Sequence, residues 1–454
     1  MSFNKKNIRC ALPFASFMFI QLVVLRLANQ SGRGFLPEAQ QEKVYLFIQV
    51  AAIIGFLSHA LLRCLKGIQR LYKPLLTIAI AFCLLGAFII LFCSPASLFY
   101  LIVTGIDVLL LGFVGGSVYE RLSLSANARK HLGVCIGIGY AVSVLLQFLL
   151  QLQWTVKPAV TILMLLSFVC LVAFLLKNNN SQASADEGQA TANPKGIPIF
   201  SVVITFALLL FISYYNSYIH HLQIASGYTD YNVYSLPRLL MIPTIILFGV
   251  LGDIKGGKLL PVCTLCVAAM ALLNTALIGS ETYLLNMCLY YIALTAVIAY
   301  YHITFLRLAE HTKQPALWAC MGRIIDSVSV IIAFGLKLSE QSQVTVLLIN
   351  VVALAVVIVT MAFSGALNLS ATKEAQEEPK AEIDPFPIIQ KSYNITPSEL
   401  KILRELVLTD DKQEVIASRL NISVSTLRHH ITSIYRKTDT QTRLALSNLV
   451  NSVK

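Results

Sequence analysis

The stretch KNNNSQASADEGQATANPKG, residues 177–196, divides the apolar part of this 454-residue chain into two halves. It is polar and lacks aromatic residues, which is typical of a flexible connector. Six apolar runs lie on each side of it, and about 20 apolar residues in a helix cross a ~30 Å hydrocarbon core. The sequence therefore predicts an all-α, polytopic membrane bundle of twelve helices, arranged as six plus six.

The first span follows three basic residues but has no convincing cleavage site, so we expect it to be retained. We place the twelve spans at residues 8–28, 43–64, 74–93, 97–118, 131–152, 157–176, 198–220, 234–251, 258–279, 283–306, 316–336 and 343–365.

Composition divides the chain a second time. The whole chain is 56% hydrophobic and only 13% charged, whereas a soluble domain carries roughly 25% charged residues. Residues 366–454 nevertheless hold 12 of the 35 Lys and Arg and 11 of the 23 acids. We therefore expect a membrane bundle over residues 1–365, a flexible linker over 366–394 and a soluble domain over 395–454.

The charges of the predicted loops indicate the orientation. With a cytoplasmic N-terminus, the inner segments before residue 366 carry sixteen Lys and Arg and the outer loops carry four. Lys and Arg concentrate in cytoplasmic loops of membrane proteins. The pattern predicts a multi-pass protein of a bacterial inner membrane, with the lipid bilayer as partner and with both termini in the cytoplasm.

The six-plus-six layout resembles the major facilitator superfamily, whose two halves are repeats about an axis along the membrane normal. GVLGDIKGGK, residues 249–258, is similar to that family's loop signature between spans 8 and 9, with Gly249, Asp253, Gly256 and Lys258 at matching positions. Ile254 stands where a basic residue is usual, and the equivalent loop of the first half contains no Asp.

The soluble region 395–454 contains the start signals of several short helices. TPSE at 396–399 is a capping box with proline at the first helical position. DKQE at 411–414 begins a second helix, and NIS at 421–423 makes a turn that ends on the N-cap Ser423. A third helix is predicted over 424–437 and a fourth after Thr440, which together make a small cytoplasmic four-helix domain.

The third helix has one apolar face and one basic face. Its apolar stripe, at intervals of three and four, consists of Val424, Leu427, Ile431 and Ile434. Its other face has no acid and consists of Ser425, Arg428, His429, Thr432, Arg436 and Lys437. Arginine can bind guanine with two hydrogen bonds, and hydroxyl groups bind phosphates or bases, so this face suits a DNA major groove. A merely solvated basic surface is the alternative.

The region 395–454 resembles the helix-turn-helix domain of LuxR-type regulators from end to end. The family's Leu-Thr-Pro-x-Glu opening appears as ITPSE at 395–399, and its Ile-Ala-x-x-Leu core appears as IASRL at 416–420. Its Ile-Ser-x-x-Thr-Val-Lys-x-His pattern appears as ISVSTLRHH at 422–430. The departure is TD at 438–439, where Leu-Gly is usual.

This resemblance implies double-stranded DNA as a partner and a homodimer that binds two half-sites. The implied base readers are Arg428, His429 and Thr432. The implied phosphate-binding residues are Ser425, Thr426, His430 and Lys437, and Arg436 completes the DNA-binding set. The expected pairing surface is the fourth helix, through Leu444, Leu446 and Leu449.

Ionisable and hydrogen-bonding residues inside the predicted spans are candidates for a small polar or aromatic ligand, since such residues are costly in a bilayer. The major facilitator resemblance implies a central cavity lined by spans 1, 4, 7 and 10. The ligand candidates are Asp107, Tyr215, Asn216, Arg238, His302, Arg323 and Asp326. Two alternatives stay open: Arg323 and Asp326 form a structural ion pair, and the tyrosines belong to interfacial belts.

The chain shows no Walker loop, no nucleophile elbow and no histidine cluster with metal spacing, so we expect no enzyme, no metal and no cofactor. Gly133, Gly137 and Gly139 are attributed to helix packing, since no strand precedes them. No soluble stretch long enough for a phosphate-receiver domain precedes residue 395, so the input signal is expected from the bundle.

The leading hypothesis is a membrane-embedded one-component transcription regulator that binds a small molecule in the bundle and DNA through the C-terminal domain. The alternative is a secondary transporter of the major facilitator type with an appended regulatory DNA-binding domain. A third class, a scaffold that anchors DNA to the membrane, would need no polar residues in its spans.

Overall fold

A computed structural model describes most of the chain. The described ranges are 5–28, 38–65, 69–93, 97–125, 131–152, 157–176, 197–225, 236–276, 283–336, 342–364, 385–409 and 411–452. The connector at 177–196 therefore lies outside the described residues. The chain separates into two compact units, Met1–Leu369 and Ser370–Lys454, and each is described by itself.

The first unit is helical throughout its described part. Its first six helices are α1 (Lys5–Ala28), α2 (Glu38–Cys64), α3 (Gln69–Phe92), α4 (Leu98–Leu124), α5 (Leu132–Leu152) and α6 (Lys157–Leu176). Its next six are α7 (Ile197–Ala225), α8 (Met241–Asp253), α9 (Leu259–Ala276), α10 (Tyr283–Glu310), α11 (Pro315–Gly335) and α12 (Gln343–Phe363). Two short 3₁₀ segments, Leu236–Leu240 and Ile254–Gly257, flank α8.

Ten helical segments among the described residues are long and apolar enough to cross a membrane. The remaining two helices of this unit, α9 and α12, have shorter apolar stretches, Leu259–Leu273 and Leu347–Phe363. Helices α3, α6 and α12 expose large apolar side chains such as Phe82, Leu166 and Val352. Such a surface suits lipid rather than water. The unit is a multi-pass membrane bundle, and the prediction of twelve spans is supported for ten.

The two sets of six helices pack in a reciprocal way. Helix α2 packs against α11, and α8 packs against α5. The second helix of each set thus contacts the fifth helix of the other set. This reciprocity is the contact pattern expected of two halves that repeat one arrangement about an axis.

Glycines set the spacing between α5 and α8. A Cβ atom on Gly133 would collide with the carbonyl oxygen of Gly249. A Cβ atom on Gly249 would in turn collide with the carbonyl oxygen of Gly133. The two backbones can touch only because both positions lack a side chain. This contact agrees with the assignment of the α5 glycines to helix packing.

The second unit begins earlier than the predicted domain, and this corrects the linker at 366–394. Residues Pro385–Ser392 form a helix, α13, whose Phe386 and Ile389 lie in the core of this unit. These two side chains are three residues apart, so they share one helix face and can dock together. Residues 366–384 of the predicted linker lie outside the described part.

Four further helices complete this unit: α14 (Pro397–Leu408), α15 (Gln413–Arg419), α16 (Val424–Thr438) and α17 (Arg443–Ser452). Thr396 and Glu399 form the predicted capping box, and Ser423 accepts the Thr426 N–H as the predicted N-cap of α16. From the apolar stripe of α16, Leu427, Ile431 and Ile434 are buried. Val424 is only partly buried and packs against the same core.

Candidate functional site

A cavity of about 170 Å³ lies in the bundle between α1, α2, α4 and α11. Its polar lining consists of Gln21, Tyr45, Gln49, Arg323 and Asp326, and its apolar lining consists of Leu25, Ala52, Phe56, Val108, Leu111, Gly112 and Val330. Spans 1 and 4 thus contribute as expected. Spans 7 and 10 do not line this cavity, and α2 and α11 complete its wall.

Arg323 and Asp326 are the charged residues of the cavity wall. They lie one turn apart on α11, and Arg323 Nη1 donates to Asp326 Oδ2 over 2.6 Å. The same Nη1 donates to the hydroxyl of Tyr301, a residue of α10, over 3.2 Å. The arginine is thereby held in one place by its own helix and by a neighbouring helix. The predicted pairing of Arg323 with Asp326 is present, and both residues are at the cavity.

His302 lies in an aromatic cluster and is not part of the cavity lining. Its Nδ1 lies 2.9 Å from the carbonyl oxygen of Ile298, which can only accept, so Nδ1 is the protonated nitrogen. Nε2 is hydrogen-bonded to the Tyr119 hydroxyl at 3.1 Å. The rings of Phe14 and Tyr301 pack against the imidazole. This arrangement links α4 to α10 through His302.

Asp107 is buried against α3 rather than at the cavity. Its neighbours Val108 and Leu111 line the cavity, but Asp107 packs against Gly86. Neither of its carboxylate oxygens has a hydrogen-bond partner among the described residues. The sequence places Asp107 in the middle of a span. It does not determine which neighbouring helix the side chain faces.

The remaining ligand candidates lie in two other places. The Tyr215 hydroxyl donates to Asn286 Oδ1 over 3.0 Å, between α7 and α10, and Asn216 beside it is partly exposed. Arg238 Nη2 donates to Gln147 Oε1 over 2.6 Å, before α8. Of the seven predicted ligand residues, the structure therefore brings only Arg323 and Asp326 together at the cavity.

A buried polar network that sequence analysis missed joins α2, α3 and α4. The carboxylate of Glu120 lies 3.2 Å from His59 Nε2 and 2.8 Å from Arg63 Nε. The Tyr72 hydroxyl bonds to His59 Nδ1 over 3.1 Å and also to the Ser117 hydroxyl. In the sequence, Arg63 counted only as one of the sixteen basic residues of the inner segments. An acid four residues from the end of a hydrophobic helix was the available signal for this network.

The loop signature between α8 and α9 has a clear structural role. Asp253 Oδ1 and Oδ2 accept the backbone N–H groups of Gly133 and Val134, at the start of α5, over 2.8 and 2.9 Å. Asp253 also accepts from Arg307 Nη2 of α10 over 2.9 Å. The start of a helix carries unpaired N–H groups and a partial positive charge, so a carboxylate stabilises it.

The first half has an ion pair at the corresponding place, but its acid and its base are exchanged between the two helices. Arg63, near the end of α2, pairs with Glu120 of α4, whereas Asp253, at the end of α8, pairs with Arg307 of α10. A guanidinium cannot accept an N–H from a neighbouring helix. Arg63 therefore cannot make the helix-capping contact that Asp253 makes in the second half.

In the C-terminal unit, helix α16 presents most of the predicted DNA-binding residues at the surface. The exposed ones are Ser425, Thr426, Arg428, His429, Thr432 and Arg436, and His430 is partly exposed. Arg428 Nε donates to Gln413 Oε1 over 3.2 Å, which ties its guanidinium to the start of α15. These side chains surround the exposed part of α16, whose other face is buried in the core.

Lys437 has a different environment from the other predicted DNA-binding residues. Its ammonium donates to Glu399 Oε2 over 2.7 Å and to the Asn394 carbonyl oxygen over 3.0 Å. Burial would raise the pKa of Glu399, but hydrogen bonds from Lys437, the Thr396 N–H and Ser433 outweigh it and lower this pKa to about 2. Lys437 thus joins the end of α16 to the start of α14.

The fourth helix corrects the predicted pairing surface. Leu446 is fully buried in the core of the C-terminal unit, whereas Leu444 is 72% exposed. Arg443 anchors this helix through three carbonyl oxygens. Its Nε donates to that of Leu406 over 2.7 Å, its Nη1 to that of Asp411 and its Nη2 to that of Thr409. Leu446 is therefore unavailable for pairing, and Leu444 is the exposed candidate.

Thr438 and Asp439, which stand where LuxR-type domains usually have Leu-Gly, form the end of α16. Asp439 ends α16 with φ 51° and ψ 39°, the left-handed conformation that glycine adopts most easily. Thr438 is buried, and its hydroxyl donates to the Ile434 carbonyl oxygen over 2.8 Å. The usual Leu-Gly is thus replaced by a buried hydroxyl and by an acid in a glycine-favouring conformation.

No group of three or more His, Cys, Asp or Glu side chains in the described ranges could hold a metal ion.

A scan against protein-family models and a search of curated proteins found no match. Among solved structures, the chain is similar to the crystal structure of the human organic anion transporter MFSD10 (TETRAN), with 13% sequence identity and a TM-score of 0.47. The alignment covers 78% of this chain and 97% of that one.

Proposed function

We propose that the chain is a membrane-embedded one-component transcription regulator of a bacterial inner membrane. Its bundle binds a small molecule, and its C-terminal unit binds double-stranded DNA in the cytoplasm as a homodimer. The observation that carries this proposal is the surface of α16. It exposes two arginines, a histidine and three hydroxyl side chains, and it has no acid before Asp439.

Anchoring of α16 supports a role in base recognition. Leu427, Ile431 and Ile434 hold the helix in the core, so the exposed residues have a fixed orientation. Gln413 accepts from Arg428 Nε, which restrains the guanidinium before any DNA is present. A restrained arginine loses less conformational freedom when it binds a guanine edge. Lys437 is left out of the proposed contact set because Glu399 and Asn394 hold its ammonium.

The test is DNA binding by the full chain in lipid nanodiscs. Sites are first enriched from a random-sequence DNA pool and then titrated at several salt concentrations, beside random DNA. Arg428→Ala should weaken binding to the enriched site by about 1–3 kcal/mol and relax base preference at one position. Arg436→Ala should weaken all sequences alike and lower the salt slope by about one.

Arg419→Ala is the matched control, since Arg419 is an exposed arginine that Glu405 and Asp411 already hold at 2.5 Å each. It should leave the sequence preference unchanged. Failure to enrich any sequence, or equal weakening of enriched and random DNA by Arg428→Ala, contradicts the proposed regulator.

Topology offers a separate test of the same proposal. A reporter active only in the cytoplasm, fused after Lys454, should be active. A fusion that is active only outside the cytoplasm removes the DNA-binding role altogether.

A secondary transporter of the major facilitator type with an appended regulatory domain is the second candidate. The cavity and the reciprocal packing of the two helix sets support it. Solute accumulation by proteoliposomes that contain the full chain, abolished by Arg323→Gln but not by Arg428→Ala, would favour transport over regulation.

A further inference from the structure

We propose that the cavity between α1, α2, α4 and α11 takes a ligand with no net charge, namely a neutral or zwitterionic molecule about as large as one substituted aromatic ring. The inference rests on the proposed function only in that the bundle binds a small molecule. It does not depend on whether the bound molecule is a signal or a transported solute.

The volume of the cavity sets the size of the ligand. The cavity measures about 170 Å³, and an apolar cavity of roughly 150 Å³ holds a benzene molecule. A single ring with one small substituent therefore fits without movement of the helices. A nucleotide or a disaccharide does not fit in this conformation.

The charges of the wall set the net charge of the ligand. Arg323 and Asp326 are the charged side chains of the lining, and their contact of 2.6 Å makes each the counter-ion of the other. An anionic ligand would compete with Asp326 for the guanidinium and leave one negative charge without a partner. A cationic ligand would do the same to Arg323. An unpaired charge in a poorly hydrated site is costly, so a net-neutral ligand is favoured.

The other lining residues set the chemistry of the ligand. Gln21 is 6% exposed, and its Oε1 has no hydrogen-bond partner within the described part of the chain. The same holds for Nε of Arg323. A buried polar atom without a partner costs about 1–3 kcal/mol. The cavity thus has the side chains of Gln21, Gln49 and Arg323 for the polar groups of a ligand, while Leu25, Phe56 and Leu111 contact its apolar part.

Three probes of equal size test this inference: benzamide, which is neutral, benzoate, which is anionic, and benzylamine, which is cationic at neutral pH. Binding to the purified full chain in detergent is measured by isothermal titration calorimetry, without DNA. Benzamide should bind the unmodified chain most tightly, and each charged probe should bind about tenfold or more weakly.

Variants of the ion pair should exchange this preference. Asp326→Asn leaves a positive wall and should make benzoate the tightest probe, whereas Arg323→Gln leaves a negative wall and should favour benzylamine. The double variant Arg323→Gln/Asp326→Asn has an uncharged wall and should again prefer benzamide, which shows that the site survives substitution. Asp107→Asn, which lies away from the cavity, should change nothing.

Three outcomes overturn the inference: a charged probe binds the unmodified chain most tightly, the single variants keep the original order, or no probe binds at millimolar concentration. Loss of DNA binding by the same preparation leaves the inference intact, because calorimetry reports the cavity alone. The failure of the proposed regulator and the failure of the proposed ligand class are thus separate results.

Discussion

Asp253 in the bundle and Glu399 in the C-terminal unit form the same kind of contact over very different sequence distances. Each carboxylate accepts a backbone N–H at the start of a helix (Asp253 accepts two), and each pairs with a cation from the last turn of another helix. Asp253 binds the start of α5 and Arg307. Glu399 binds Thr396 at the start of its own helix and Lys437.

The difference lies in how the partners are brought together. Glu399 and Thr396 are three residues apart, so one turn of helix creates their contact. Asp253 is 120 residues from Gly133 and 54 from Arg307, so only the packing of α5, α8 and α10 brings these groups together. The N–H contact of Glu399 stabilises only its own helix, whereas the N–H contacts of Asp253 also hold separate helices in their relative positions.

The largest expected effect follows from Asp253→Ala. It leaves Arg307 without its carboxylate and two N–H groups of α5 without acceptors, in a region where Asp253 is largely buried. We expect a loss of about 3 kcal/mol in stability, the usual cost of breaking a buried pair from one side. Thermal unfolding of the full chain in detergent measures the loss.

Asp253→Asn is the matched control for this change, since it keeps one carbonyl oxygen for the α5 N–H groups but loses the charge. It should be destabilised less than Asp253→Ala. Equal unfolding temperatures for the unmodified chain and Asp253→Ala would show that the remote contact does not hold the helices, and the contrast with Glu399 would disappear.

Acid should remove the local contact of Glu399. Because its pKa is lowered from 4.5 to about 2, the stabilisation is complete above pH 4.5 and is lost as the pH falls toward 2. Allowing for the partial exposure of Lys437, we expect this group to contribute about 2 kcal/mol. Circular dichroism of a fragment of residues 370–454, which has its own hydrophobic core, should show the loss on acidification.

Glu399→Gln isolates the contribution of this carboxyl from that of the other acids. The variant should be less stable than the unmodified fragment at neutral pH, and the two should converge near pH 2. Parallel pH profiles would indicate that Glu399 titrates normally and that its hydrogen bonds contribute little.

Lys437→Met should have a smaller effect, because the Lys437 side chain is 26% exposed and Glu399 keeps its bonds from Thr396 and Ser433. We expect a loss of about 1 kcal/mol in the same fragment. Under the proposed function, the salt slope of DNA binding should stay unchanged. A slope lowered by about one would restore Lys437 as a phosphate contact.

The smallest effect is expected at the end of α16. Asp439→Gly should raise stability by about 0.5–1 kcal/mol, since Asp439 has a positive φ that costs a residue with a side chain more than glycine. Asp439→Ala is the matched control and should lower stability. If Asp439→Gly were destabilising, the aspartate side chain would have to stabilise the turn by more than its conformation costs.

Local patterns predicted much of the C-terminal unit. The capping box of Thr396 and Glu399, the N-cap Ser423 and the buried face with Leu427 and Ile431 all depend on residues within one or two turns of each other. The same patterns gave no warning that Lys437 would bind Glu399, 38 residues away. Helix α13 was not predicted, because Phe386 and Ile389 give no periodic pattern in the sequence. Their role is visible only in their burial against the core of this unit.

By itself, the sequence determined where helices form, since hydrophobic length, capping residues and periodicity act within a few turns of one chain segment. Only the tertiary structure decided which side chains meet. The rotation of each helix about its axis is set by packing, as at the glycine contact of α5 with α8. That rotation turned Asp107 toward α3, placed Arg323 and Asp326 at the cavity, and joined Asp253 to Arg307. Contacts between distant segments depend on the position of every intervening helix, so no local pattern in the chain specifies them.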